Sequence, residues 1–208
     1  MNRERLIKNM TDQVKEAQLK LGYAPETVRL YYPVASLNEI LGTSAQNAQK
    51  MLNLLKGEFE EKTDLGKLKF SSHAERIEIS IPPEGAKWVH EHVETPAFLK
   101  ELIELFQTKH ACTLEEICEI FKKYDPEYIC EKMPAGSDFD YAIQFHNAEH
   151  DEYYYCIHME MGHTIYHRFT EADYLELLLV RTVTDKNKDI WQKNGLFLTL
   201  CGLQFLLW

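Results

Sequence analysis

Two stretches of this chain have the same order of hydrophobic patterns, and this repeat restricts the fold more than any other feature. In the first stretch, residues 36–40 start a helix, residues 44–62 form an amphipathic helical pattern, and residues 65–81 alternate between polar and apolar side chains. Helical periodicity followed by alternation predicts a helix–turn–helix followed by a β-hairpin.

The second stretch repeats this order further along the chain. Residues 113–117 match the start of the first stretch, residues 127–133 form a short helical pattern, and residues 141–159 alternate as a second hairpin. Helix, turn, helix and hairpin in this order is the layout of a winged helix-turn-helix unit. The sequence therefore predicts an α+β, mostly helical protein built from tandem winged helix-turn-helix units with β-hairpin wings.

Helix-start signals support the repeat. Ser36 with Glu39, and Thr113 with Glu116, have the spacing of a capping box, in which the two side chains bond to free N–H groups of the first turn. Both boxes stand ahead of similar helix and hairpin patterns. In the first unit, we also expect a helix from Pro25 to Tyr32, because Pro is favoured at the first helical position.

These signals divide the chain into five parts. They are an N-terminal helix (1–22), a first winged-helix-like unit (23–82), a linker with a short helix (83–94), a second unit (95–184) and an apolar tail (185–208). The N-terminal helix has one apolar stripe, which fits docking on its own domain or a short dimerisation helix. The apolar stretch of the tail, residues 196–208, is too short to cross a bilayer as a helix. We expect its burial in the chain, a dimer or a partner, with a gene-end artefact as the alternative.

Charge is unevenly distributed along the chain. Residues 1–82 carry 12 Lys and Arg against 11 Asp and Glu, whereas residues 83–208 carry 11 against 22. An acidic surface repels phosphate backbones, but the near-neutral part can carry a local basic patch. The five cysteines form no C-x-x-C pair and no apolar signal-peptide core occurs near the N-terminus, so we expect a reduced, cytoplasmic protein.

The helical pattern at residues 44–62 separates polar from apolar side chains most cleanly. Its polar face holds Gln46, Asn47, Gln49, Lys50 and Asn53. Asn and Gln are the residue types that read adenine edges in a major groove. Lys67 and Lys69 of the following hairpin are candidates for phosphate contacts. The pattern indicates a candidate DNA-binding surface, and a polar surface helix without a ligand is the alternative.

Histidines are concentrated in the second hairpin region. The candidate metal ligands are His146, His150, His158 and His163. Strand alternation puts Cys156, His158 and Glu160 on one face, whereas His146 and His150 flank a loop. Because the chain has no H-E-x-x-H motif and no paired Cys/His spacing, a His-rich sheet surface is favoured over a metal site.

Signatures of catalysis are missing from the sequence. The chain has no Gly-rich phosphate loop, no G-x-S-x-G motif and no recognisable pair of acid/base carboxylates. We therefore expect no catalytic residues and no cofactor.

The order of patterns across residues 36–81 and 113–159 resembles the winged-helix superfamily. In architecture and acidic charge the chain is also similar to the tandem winged-helix subunits that bind kleisins in chromosome-organising complexes. Residues 16–23 and 31–33 resemble an uncharacterised bacterial domain family, which implies no functional residues.

These resemblances imply a non-catalytic interaction or regulatory protein that binds a protein partner or forms a homodimer. A DNA-binding regulator that uses the first unit is one alternative. A metalloprotein or enzyme that uses the His-rich hairpin is the other.

Overall fold

The computed structural model describes residues 1–73, 76–109, 111–147, 151–160, 162–171, 173–175 and 177–178. Within these residues the chain forms two compact units, the first being Met1–Glu94 and the second starting at Thr95. Each unit combines helices with an antiparallel sheet, so the predicted α+β class is confirmed. The predicted tail lies outside the described residues, as does His150.

The first unit contains four helices and three strands. In chain order they are α1 (Arg3–Leu21), β1 (Val28–Pro33), α2 (Val34–Leu41), α3 (Ala48–Glu58), β2 (Lys69–His73), β3 (Arg76–Ile81) and α4 (Pro83–His92). The strands form an antiparallel sheet in the order β1-β3-β2. β2 and β3 form the hairpin that alternation at residues 65–81 predicted.

The core of the first unit includes the apolar stripe of α1. Leu6, Met10 and Val14 are fully buried and pack with the sheet residues Leu30 and Ile79 in one cluster. Burial of each large apolar side chain stabilises a fold by about 1.5–3 kcal/mol. The buried part of the stripe therefore docks α1 on its own domain.

The helix predicted from Pro25 to Tyr32 is wrong, because this segment contains strand β1. Leu30 and Tyr32 are buried, whereas Arg29 before them is exposed and Tyr31 between them is half-buried. This two-residue period fits a strand that buries one face, and the backbone pairs with β3. Pro25 lies before the strand in a loop rather than in the first turn of a helix.

The capping box predicted at Ser36 and Glu39 is also wrong. α2 starts directly after Pro33, which takes the N-cap position without a side-chain hydrogen bond to the helix. Ser36 is instead buried inside α2, with 1% of its surface exposed. β1 ends at Pro33 and α2 begins at the next residue, Val34. No residues therefore remain between the strand and the helix for a separate capping turn.

Residues 83–94, predicted as a linker with a short helix, contain α4. Pro83 occupies the first turn, and Ala86 and Val89 are fully buried. The Gln18 side chain of α1 donates a hydrogen bond of 2.8 Å to the Ala86 carbonyl oxygen. α4 is therefore packed against α1 as part of the first unit.

The second unit begins with two helices and continues with four strands. They are α5 (Ala97–Thr108), α6 (Leu114–Tyr124), β4 (Ile129–Lys132), β5 (Tyr141–Gln144), β6 (Tyr154–Glu160) and β7 (His163–Phe169). The sheet is antiparallel in the order β4-β5-β6-β7. β5 and β6 form the hairpin predicted at residues 141–159.

The helix predicted at residues 127–133 is wrong, because these residues contain β4. Ile129 pairs with Gln144 and Lys132 pairs with Tyr141, so β4 is held as a strand by β5. A seven-residue helix has few internal hydrogen bonds and is marginal without tertiary support. The two units consequently share a helix pair and a hairpin, while their sheets differ in strand order.

The capping box at the start of α6 is confirmed. The Thr113 hydroxyl accepts a hydrogen bond from the Glu116 N–H at 3.2 Å, and the Glu116 carboxylate accepts one from the Thr113 N–H at 3.0 Å. Each bond satisfies an N–H group that has no partner inside the helix.

Replacing the cap in Thr113→Ala is expected to lower the free energy of unfolding of the second unit by about 1 kcal/mol. Thr108→Ala is the matched control, because the Thr108 hydroxyl at the end of α5 only bonds back to the carbonyl groups of Glu104 and Leu105. Such back-bonding contributes little to helix stability. Urea denaturation, monitored by circular dichroism, gives the free energy of unfolding of both variants. Equal losses of this free energy would show that the cap has no specific role.

Candidate nucleic-acid interface

The turn that positions α3 is closed by Asn38. The Asn38 Oδ1 accepts hydrogen bonds from the Ala45 N–H at 2.7 Å and the Thr43 hydroxyl at 3.0 Å, and its Nδ2 donates to the Ala45 carbonyl at 2.9 Å. Gly42 ends α2 with φ of 64°, a conformation that glycine adopts without strain. Asn38 was not among the predicted site residues, although an Asn in the last turn before a Gly was an available signal.

Asn47 has a structural role at the start of α3. Its Oδ1 accepts a hydrogen bond of 2.9 Å from the Lys50 N–H, which makes it the N-cap of the helix. A side-chain oxygen bound in this way is not free to contact a base edge. The structure thus separates Asn47 from the other predicted contact residues on α3.

The other predicted residues, which are Gln46 just before α3 and Gln49, Lys50 and Asn53 in it, lie together on an exposed face. Gln49 donates a hydrogen bond of 3.1 Å to the Asn53 Oδ1, and the Lys50 ammonium donates to the Gln46 Oε1. All four side chains are exposed, so water replaces these bonds at small cost when a ligand arrives. We define the α3 face as these four residues together with Lys56, which is exposed in the last turn.

The α3 face lies in a part of the chain without carboxylates. No Asp or Glu occurs between Glu39 and Glu58, and Lys50 and Lys56 are positively charged. In the whole sequence, by contrast, 33 acidic residues outnumber 23 basic residues. The α3 face therefore contains amide groups and cations but no acidic residue. Such groups form hydrogen bonds and ion pairs with phosphates and base edges.

The two predicted hairpin lysines, Lys67 and Lys69, occupy different positions relative to α3. Phe70 of β2 faces the core, where its ring lies 5.8 Å from that of Phe59 at the end of α3. Lys69 precedes Phe70 in the strand and points to the opposite face of the sheet, where Glu78 also lies. Lys67 is exposed just before β2. Only Lys67 therefore remains a candidate to extend the α3 face.

The candidate metal ligands of the second unit are dispersed. His146 is exposed 3.6 Å from the Glu127 carboxylate, and His158 lies 3.4 Å from Glu160, two residues further along β6. His163 is exposed and pairs with Glu160 in the sheet register. No group of three potential ligands converges in the part of the chain that the structure describes.

Cys156 shares its sheet face with several of these histidines, yet its chemistry does not favour a metal. Its side chain is fully buried, and this burial raises the pKa of the thiol to about 12. A metal is bound by the thiolate, which is scarce at neutral pH when the pKa is so high. Cys156 is accordingly a small apolar core residue.

The backbone near His146 is held by Asp125. The Asp125 carboxylate accepts hydrogen bonds from the N–H groups of Glu127, His146 and Asn147 at 2.8–3.1 Å. These bonds hold the pKa of Asp125 below its usual range, because they stabilise the charged carboxylate. Asp125 is buried as a structural anchor between α6 and the end of β5.

Comparison with known proteins identifies the family of the chain. The family model described as "Domain of unknown function, E. rectale Gene description (DUF3877)" matches residues 3–178. The chain belongs to this family. This result confirms the resemblance to an uncharacterised domain family. No curated protein and no solved structure matches the chain.

The DUF3877 match, residues 3–178, extends over parts of both units. Across the residues that the structure describes, no helix is both long and apolar enough to span a membrane.

Proposed function

We propose that the protein is a non-catalytic regulator whose first unit binds duplex DNA through the α3 face. The observation that carries this proposal is the acid-free, amide- and lysine-bearing face of α3, which follows a tight turn after α2. Catalytic chemistry has no part in the proposal.

The order of elements in the first unit supports a winged-helix interpretation. Helix α1, strand β1, helices α2 and α3, and the hairpin β2–β3 follow one another, with β1 beside β3 in the sheet. In helix-turn-helix proteins the second helix of the pair enters the major groove, which is wide enough to admit it. On this interpretation α3 is the recognition helix and β2–β3 is the wing.

Charge on the α3 face supports a modest affinity. Lys50 and Lys56 supply two cations on the α3 face, and Lys67 is a third cation outside the helix, whereas Glu58 ends the helix and Glu60 and Glu61 follow it closely. Each phosphate that a cation neutralises releases counterions, so binding weakens as salt rises. We therefore expect binding that is clear at low salt and weak at physiological salt.

The double variant Lys50→Glu/Lys56→Glu is expected to lower DNA affinity on the order of tenfold at low salt, because two phosphate contacts become repulsive. The slope of log affinity against log salt should fall by about 2, one for each lost contact. Fluorescence anisotropy with short mixed-sequence duplexes measures both quantities. Gln49→Ala/Asn53→Ala should mainly reduce the preference among sequences.

The single variants Lys50→Glu and Lys69→Glu are the matched comparison, since each makes the same charge change and Lys69 lies on the sheet face that points away from Phe70. We expect a smaller loss of affinity from Lys69→Glu than from Lys50→Glu. Equal losses would assign the effect to net charge alone, and absence of binding at low salt would contradict the proposal.

A protein-binding role of the second unit is the second candidate, and its acidic surface favours it. Residues 95–178 contain 6 Lys and Arg against 17 Asp and Glu. Glu115 and Glu119 are exposed on α6, and Glu131 is exposed on β4. Such a surface repels nucleic acid and complements a basic protein surface. Charge reversal at Glu115 and Glu119 should weaken a partner complex measured by light scattering without changing DNA binding.

A further inference from the structure

Two cysteines of the second unit lie on elements that face each other. On α6, Cys118 is three residues before Phe121, so both side chains are on one helix face. Phe121 is fully buried, and its ring lies 5.3 Å from that of Tyr155 in β6 and 6.3 Å from that of Tyr128. The Cys118 face of α6 therefore packs on the sheet.

Strand register places Cys130 on the sheet face that α6 covers. Cys130 pairs with Ile143, and Ile143 pairs with Tyr155. Directly opposed residues of antiparallel strands point to the same side, so Cys130 shares the face of Tyr155. In agreement, the Cys118 thiol interacts with the Cys130 thiol and with the Tyr128 hydroxyl, and after burial it contributes to raising the pKa of both groups.

Accessibility distinguishes this pair from the other described cysteines. Cys130 is exposed and Cys118 is half-buried, whereas Cys112 and Cys156 are 2% and 0% exposed. A reagent from solution thus reaches Cys130 first. Cys118 is then the thiol positioned to complete the reaction.

We propose that Cys118 and Cys130 are a disulfide-forming pair, which a low-molecular-weight disulfide such as oxidised glutathione converts into a covalent link between α6 and β4. Nothing in the proposed DNA-binding function of the first unit is needed for this reaction.

The reaction is a pair of thiol–disulfide exchanges. The Cys130 thiolate attacks one sulfur of oxidised glutathione, which forms a mixed disulfide and releases one glutathione thiolate. The Cys118 thiolate then attacks the Cys130 sulfur, which forms the internal disulfide and releases the second glutathione thiolate. The two protein thiols lose two electrons and two protons, and these convert oxidised glutathione into two molecules of glutathione.

The environment of Cys130 makes the first step slow at neutral pH. Although Cys130 is exposed, neighbouring atoms remove part of the water around its thiol, and this partial desolvation, with smaller contributions from Cys118 and Glu131, raises the pKa of Cys130 to about 12. Only a thiolate attacks a disulfide, so the rate is proportional to a small ionised fraction. The pair is therefore suited to prolonged oxidation rather than to rapid sensing, and the reaction is best followed over hours at mildly alkaline pH.

The test uses the folded full-length chain incubated with oxidised glutathione at pH 8. Free thiols are then blocked with N-ethylmaleimide, and the protein is digested and analysed by mass spectrometry. We expect a peptide pair linked through Cys118 and Cys130, with the thiol count falling from five to three. Cys118→Ser should stop at a glutathione adduct on Cys130, while Cys112→Ser should form the link as in the unchanged protein.

Three results would overturn the proposal. They are a persistent glutathione adduct on Cys130 in the unchanged protein, a link that forms only in urea, and a link from Cys130 to another cysteine. Circular dichroism of each variant shows that it is folded. The assay reads covalent structure directly, so its outcome is independent of whether the protein binds DNA.

Discussion

Phe121→Ala is expected to destabilise the second unit by about 3–5 kcal/mol, the cost of removing a large aromatic side chain from a closed core. Phe121 is fully buried, and its ring lies 4.9 Å from that of Phe98, 5.1 Å from that of Phe145 and 5.3 Å from that of Tyr155. These rings come from α5, α6 and the sheet. Alanine would leave a cavity bordered by three rigid rings that cannot collapse into it.

Hydrogen exchange read by mass spectrometry is the appropriate measurement, because it reports the two units separately. Peptides from residues 95–178 should lose protection in Phe121→Ala, and urea denaturation should give the size of the change. Phe121→Leu is the matched control, since it keeps much of the volume and should cost clearly less. A loss below about 1 kcal/mol for Phe121→Ala would contradict the packing of α6 against the sheet.

Local patterns were sufficient for the parts of the fold that depend on local chemistry. Alternation identified both hairpins, and the Thr113 capping box placed the start of α6. The error at β1 overlooked the two-residue period of Leu30 and Tyr32, whereas the error at β4 has a non-local cause. β4 is four residues long and only Ile129 is partly buried, so it has no alternation to recognise. Its extended backbone comes from pairing with β5, which no local pattern contains.

The same distinction applies to the candidate interface. Helical periodicity alone placed Gln46, Gln49, Lys50 and Asn53 on one exposed face. The direction of Lys69 depends on its register against β3, and the role of Asn38 depends on where the chain turns after α2. The register of Lys69 is not encoded in residue spacing, because it depends on contacts between segments that are brought together by folding. The position of Asn38 in the last turn before Gly42, by contrast, was a signal in the sequence.

Gly85→Ala is expected to destabilise the first unit by about 1–3 kcal/mol through overpacking. A Cβ at Gly85 in α4 would lie 2.0 Å from the Leu65 carbonyl oxygen and 2.8 Å from the Ile81 Cγ2. The nearest atom belongs to the backbone, so it cannot move aside by a side-chain rotation. The loop that contains Leu65 is closed by two backbone hydrogen bonds, one donated by Thr63 to Gly66 and one by Gly66 to Thr63. Moving this loop away from α4 therefore disturbs the core around Leu65.

Gly57→Ala is the matched control, because Gly57 is exposed in α3 and a Cβ there meets no atom within 4 Å. Alanine favours a helix over glycine, so this variant should stabilise the first unit by about 0.5–1 kcal/mol. The same chemical change thus has opposite signs at the two sites. Thermal unfolding of both variants measures the difference, and a stabilising Gly85→Ala would show that α4 does not pack closely on the loop before β2. Residues 83–94 would then be the linker that the sequence predicted.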